Sequence, residues 1–278
     1  MKPLLLLALL QVSAVLAAPA AFHPVLVQLP GEDRPELLGA WTPGGWLGAP
    51  RAAPRLRGGE VYRPLLPSGP GALVKGGRAE SFGVPCELAF GVPLTPAASG
   101  NTFRLFTDAG LKAWPRPVLN LPTTNAVYRD IVRAELVKRG LKNPQVHLTG
   151  LTRVDLNGDG RAEVIVEAAH FAERSGLYPP PVGQPGDYSL LLLREVVGGR
   201  VVTTVLGEHV APLKPWTPGD PEPMPMALLY RLAGVADLNG DGRMELVTFG
   251  AYYEGYGLDM REWTPGGWKT RLEGGCGV

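Results

Sequence analysis

Apolar and polar residues alternate along most of the chain, and glycine, proline or both interrupt the alternation at short intervals. Four stretches, 37–47, 103–114, 189–206 and 259–272, carry an alternating run, a glycine-bearing reversal and a second alternating run, and each predicts an antiparallel hairpin. Two of them share the turn Trp-Thr-Pro-Gly-Gly-Trp, at Trp41 to Trp46 and again at Trp263 to Trp268. Proline there presets one turn angle and glycine permits positive φ, so the flanking tryptophans are expected to pair across the strands and hold the hairpin, with carbohydrate stacking as the other use.

One segment follows a different period. Thr123, Thr124 and Asn125 offer N-cap side chains, Val127, Ile131, Ala134 and Val137 recur at helical spacing, and Lys138, Arg139 and Gly140 mark a C-terminus. This predicts one prominent helix over about 124–139, packed on a sheet. The fold class expected is mainly β, an antiparallel hairpin architecture that is either degenerate propeller-like or a mixed sheet carrying that helix. An N-terminal β- and loop-rich region, 18–120, is set apart from 121–278, where the helix and the strongest motifs lie, with the two expected to form one compact unit.

Composition narrows the partners. Lysine and arginine number 27 against 26 acidic residues, a net charge of +1, which lacks the basic footprint of a nucleic-acid binder. Apolar residues at 45% supply a core, while 37 glycines and 29 prolines, together about twice the usual share, exclude a protein dominated by long helices. The proline- and arginine-rich stretch 43–70, with Arg51, Arg55, Arg57 and Arg63, has no supporting net charge and is expected to be a solvated loop.

Residues 1–17 have the order of a secretory signal: Lys2 near the start, an apolar run from Leu4 to Leu10, and small residues ending at Ala17. The run is too short to span a membrane, and no later segment reaches that length, so the expected location is secreted or periplasmic, in the cell envelope, with no membrane span in the mature chain. In that oxidising setting the two cysteines, Cys86 and Cys276, are expected to form one disulfide.

The feature richest in chemistry appears twice, 82 residues apart. Asp155, Asn157, Asp159, Arg161 and Glu163 occupy alternate positions of one loop, and Asp237, Asn239, Asp241, Arg243 and Glu245 occupy the same positions of the other. Ca²⁺ takes six to eight oxygens, and a curled loop can aim alternate side chains inward, with the arginine contributing its backbone carbonyl. Neither loop holds the cysteine or histidine ligands that zinc and copper favour. An EF-hand is excluded because its twelfth position, a bidentate glutamate, is here Val166 or Thr248. A polar turn without an ion is the remaining alternative.

These loops, each followed by an apolar run, resemble the calcium loops of FG-GAP and VCBS-type repeats of extracellular β-propeller proteins. The match covers 155–168 and 237–250. The resemblance implies two bound Ca²⁺ ions, ligated from the first, third, fifth, seventh and ninth loop positions, and a secreted, non-enzymatic protein used for recognition, adhesion or scaffolding. The chain departs from the family at its name-giving elements, offering only Phe249-Gly250-Ala251 after the second loop. The expected partners are calcium and an extracellular protein or glycan ligand, the latter suggested by the aromatic run 252–256.

The competing reading is an exported hydrolase with structural calcium sites. His23, His147, His170 and His209, with Glu173, Asp187 and Glu208, are its candidate acid–base groups. No Gly-x-Ser-x-Gly elbow or His-Glu-x-x-His pair accompanies them, and the alignment of His170-Phe171 with Tyr252-Tyr253 assigns those positions to packing.

Overall fold

Proline cannot donate a backbone hydrogen bond, and the proline-dense first half accordingly makes short strands, whereas the second half makes strands of seven to eleven residues. A computed structural model describes residues 21–66, 69–98, 100–174 and 176–278; the expected signal peptide, 1–17, lies outside them. The fold is mainly β and antiparallel. A ten-stranded curled sheet is centred on His23–Gln28, flanked by Glu36–Thr42 and Arg104–Asp108, with Val61–Leu66 beyond the latter. The first meander runs Val118–Asn120, Leu148–Val154, Glu163–His170, Tyr188–Val197 and Arg200–Val210. The second runs Leu229–Ala236, Glu245–Tyr252, Gly255–Thr264 and Gly267–Gly277.

Strand alternation stacks these sheets. Leu26, Leu37 and Phe106 face into the curl, while Val25, Val27 and Leu38 meet Phe249, Leu258 and Met260 of the second meander. The opposite face of the second meander presents Val235, Met244 and Leu246 to Leu191 and Leu193 of the first. The even members of the same leucine run, Leu190 and Leu192, point the other way, to Val132 and Leu136 of the helix. All four leucines are fully buried because their strand is covered on both faces.

The helix spans Ala126–Lys138, and Asn125 Oδ1 accepts from Val127 N at 3.0 Å. Its buried face differs from the expected one: Val127 and Val137 are exposed, and Tyr128, Val132 and Leu136 face the sheet. Both sets have helical spacing, and the larger side chains decide the rotation. Arg139, hydrogen-bonded to Glu135 and Glu208, ties the same face to the edge strand.

Three of the four expected hairpins form, over 37–47, 189–206 and 259–272. Trp41 pairs with Trp46 and Trp263 with Trp268, and both turns are closed by a threonine hydroxyl donating to a glycine carbonyl, Thr42 to Gly45 and Thr264 to Gly267. Trp46 also donates to Glu262 at 3.3 Å, which joins the two turns' surroundings. The stretch 103–114 is not a hairpin. Only Arg104–Asp108 is a strand, and the return segment gives its bonds to the second meander instead, Asp237 N donating to Ala113 O at 2.8 Å and Trp114 Nε1 to Val235 O at 2.7 Å. Nor is 43–70 a plain loop, for it holds the helical turn Ala49–Ala52 and the strand Val61–Leu66, although Arg51, Arg55 and Arg57 are exposed as expected.

The curled sheet and second meander are joined by two further devices. Cys86 and Cys276 stand at disulfide distance, with Cα atoms 5.3 Å apart. Glu36, almost fully buried, accepts from Tyr256 Oη at 2.6 Å and from Gly275 N at 2.9 Å. Burial raises the Glu36 carboxyl above its ordinary range, and these two donors oppose the rise. Tyr256 therefore serves the joint between the curled sheet and the second meander.

Tyr256→Phe removes a donor from a buried carboxylate and is expected to cost about 1–3 kcal/mol in urea unfolding. A raised carboxyl makes the folded state bind the proton more tightly than the unfolded state, so its contribution is present at low pH and falls as pH rises above about 4.5. Loss of the tyrosine donor raises that carboxyl further, and the deficit of the variant is expected to be larger at pH 8 than at pH 5.

Candidate functional site

The two acidic loops fold alike, atom for atom. In the first, Asp155 Oδ1 accepts from Gly158 N at 2.7 Å and Oδ2 from Gly160 N at 3.1 Å, while Asn157 and Asp159 each cap the amide two residues on. In the second, Asp237 binds Gly240 N at 2.7 Å and Gly242 N at 2.9 Å, and Asn239 and Asp241 repeat the caps. Two glycines in each loop have positive φ, Gly158 and Gly160 at 79° and 82°, Gly240 and Gly242 at 79° and 85°. A side chain at these positions is strained, which is why the sequence repeats glycine there.

The ninth residue closes each loop from the first position of the following strand. Glu163 Oε2 accepts from Leu156 N, and Glu245 Oε2 from Leu238 N, both at 2.7 Å. Sequence reasoning placed these glutamates as ligands, and the fold adds this backbone contact. Both are buried, as is Asp237, whereas Asp159 and Asp241 are exposed. Burial pushes the Glu245 carboxyl up to about 9, with the charges of Asp241, Asp237 and Glu262 adding to the rise. Glu163 and Asp237 are also raised, first by burial.

The loops are neighbours. Met244 N donates to Leu156 O at 2.9 Å, and between them sits Arg116, a residue the sequence motif did not include. Its guanidinium donates to Asp155 O at 2.5 Å, Leu156 O at 3.0 Å and Gly242 O at 2.7 Å. One side chain therefore reads carbonyls of both loops, a task that needs the planar fork of arginine. Its charge also lies 3.9 Å from Asp155 Oδ2. Nothing in the local spacing around Arg116 announced this; the hint was the proline-flanked Trp114-Pro115-Arg116-Pro117 run, too irregular to be a strand.

Among the described residues no group of three or more His, Cys, Asp or Glu side chains is gathered as a metal cluster. The donor chemistry of each loop nevertheless fits a hard cation, because it is all oxygen: three carboxylates, an asparagine amide and the carbonyl of Arg161 or Arg243. Both oxygens of Asp155 and of Asp237 accept from amides of their own loop, and burial disfavours the charged form of Glu163, Asp237 and Glu245.

The candidate acid–base residues are dispersed by role. Asp187 is fully buried and accepts from Ala172 N and Gln184 N; Glu208 pairs with Arg139; Glu173 is exposed. His23 Nδ1 lies 3.1 Å from Asp108, whose other oxygen caps Gly110 N. His147 and His170 stack at 4.8 Å between ring centroids, and Phe171 stacks on His209 at 6.1 Å. Burial lowers the pKa of His209. Comparison of the chain with protein-family models, curated proteins and solved structures finds no match.

Arg116→Ala strips three carbonyls of a charged donor and is expected to cost about 1.5–3 kcal/mol in urea unfolding. Arg116→Lys is expected to restore less than half of that loss, since a single ammonium cannot span both loops.

Proposed function

We propose that the chain is an exported, calcium-braced β-repeat protein of the FG-GAP or VCBS kind, with a non-enzymatic role in extracellular recognition or scaffolding. The observation that carries this reading is the identical hydrogen-bond skeleton of two adjacent loops, each with an all-oxygen donor set and buried acids. Asp155, Asn157, Asp159, Glu163 and the Arg161 carbonyl would hold one ion; Asp237, Asn239, Asp241, Glu245 and the Arg243 carbonyl would hold the other. When bound, each ion supplies positive charge to the loop and joins the end of one strand to the start of the next, so that binding free energy adds to folding free energy.

Export is supported by the order of residues in 1–17 and by the cysteine pair at disulfide distance. Among the described residues no helix is long and apolar enough to cross a membrane. The recognition role is favoured over hydrolysis because Asp187 is engaged in backbone capping and Glu208 in an ion pair, and among the described residues neither carboxylate is hydrogen-bonded to an imidazole that it would have to orient.

Thermal unfolding in EDTA and in millimolar CaCl₂ tests the calcium reading. With calcium at ten times each dissociation constant, linkage gives about 1.4 kcal/mol per site. For a chain of this size that is a rise of about 2–4 °C per kcal/mol. Asp155→Ala and Asp237→Ala are each expected to remove about half of the rise, and native mass spectrometry to count two ions. Equal melting temperatures with and without chelator overturn the reading.

A further inference from the structure

Between the strands Leu148–Val154 and Leu229–Ala236 lies a cleft of about 990 Å³, within the size range of small-molecule sites. Its floor is apolar and buried, formed by Leu151, Ala233 and Val235, and Trp114, Phe171 and Tyr178 line it as aromatic walls. Charge is distributed unevenly around it. The lining holds two arginines, Arg174 and Arg231, and two histidines, His147 and His170, against a single carboxylate, Glu167.

That carboxylate is already committed. Glu167 Oε2 accepts from Arg231 Nε at 2.7 Å and from Leu232 N at 3.0 Å, and Glu167 Oε1 lies where a Cβ on Gly150 would stand, so only glycine on the neighbouring strand admits it. The pairing uses Nε of Arg231. Among the described residues neither η nitrogen has a protein acceptor, and the side chain is 30% exposed in the lining of the cleft. A guanidinium oriented through Nε by a buried glutamate, with its terminal donors uncommitted beside an apolar floor, suits a ligand that carries an oxyanion on a hydrophobic body.

We propose that this cleft binds a small amphipathic anion, its single oxyanion head on the Arg231 η nitrogens and its apolar body over Leu151, Ala233 and Val235 between the aromatic walls. A cationic amphiphile meets an excess of like charge there, and a neutral one leaves the arginine donors without an acceptor. The site is independent of the calcium reading, since none of its residues belongs to the acidic loops.

The test is calorimetric titration of the full chain, in calcium, with three probes of equal tail length: decanoate, 1-decanol and decyltrimethylammonium. Decanoate is expected to bind one to one, at least tenfold more tightly than either of the others. Two substitutions are expected to act in opposite directions. Glu167→Gln, which keeps one oxygen to accept from Leu232 N and Arg231 Nε and removes the competing negative charge, tightens decanoate binding by about threefold or more. The double variant Glu167→Gln with Arg231→Gln, which leaves no buried charge unpaired, weakens it at least tenfold and abolishes the preference over decanol. Near-UV circular dichroism verifies the fold of each variant, and the exposed Arg174→Gln, expected to weaken decanoate about twofold to threefold, supplies a further check should the double variant not fold. Equal binding of decanoate and decanol, or a fall in affinity with Glu167→Gln in folded protein, overturns the proposal.

Discussion

A glutamate folded back onto the backbone amide seven residues before it is the contact on which the upper end of both meanders depends. Glu163 and Glu245 each open a central strand and each accept from the amide of the leucine that follows the first aspartate. The contact closes a nine-residue loop and fixes the register between the strand entering and the strand leaving it, Val154 against Glu163 and Ala236 against Glu245. It also places a carboxylate where water barely reaches. A buried acid is tolerated when it is protonated or when a positive group accompanies it, and no lysine or arginine side chain forms an ion pair with either glutamate among the described residues. The geometry that secures the strands is thus the same geometry that raises the carboxyl pKa of both glutamates.

The stacking of sheets transmits this local order through the molecule. Leu190 to Leu193 divide their side chains between the helix and the second meander, so displacement of that strand disturbs two cores at once. The second meander likewise shares its faces with the first meander and the curled sheet. Arg116 lies where these layers converge, on the irregular segment that leaves the curled sheet, and its bonds to both loops make the segment a strut. Its neighbour Trp114 bonds to Val235 of the second meander, which spreads the attachment over two contacts of different chemistry. Close-packed interiors transmit strain, so a displacement in one layer is felt in the next.

Much of this was legible in the chain because it is local. The cap at Asn125, the repeated Trp-Thr-Pro-Gly-Gly-Trp turns and the acidic loops are decided within a few residues, and each formed where the pattern put it. What escaped is decided at long range. The rotation of the helix depends on which side chains the first meander has room for, and Val127 loses to Val132 and Leu136 for that reason. Residues 103–114 alternate like a hairpin, yet Ala113 and Trp114 find hydrogen-bond partners more than a hundred residues away. Arg116, Gly150 and Glu167 matter through contacts with elements that no spacing rule connects to them.

The loops and the cleft are consequently different in kind. At the loop end, backbone amides, carboxylates and one guanidinium consume one another's valences and draw the strands together. Along the cleft the strands carry register shifts, between Leu148 and Gly150 in one meander and between Leu232 and Gly234 in the other, and these irregularities lie in its lining. A bulge bends its strand and strengthens local twist, so two bulges facing a common space pull adjacent edges away from flush packing. Side chains from one sheet then satisfy the exposed edge of the other, Glu167 on Leu232 N and Ser189 on Tyr230 N, where direct strand pairing is absent. The cleft therefore lies where two irregular strands face each other and side chains, rather than a strand ladder, bridge the sheets.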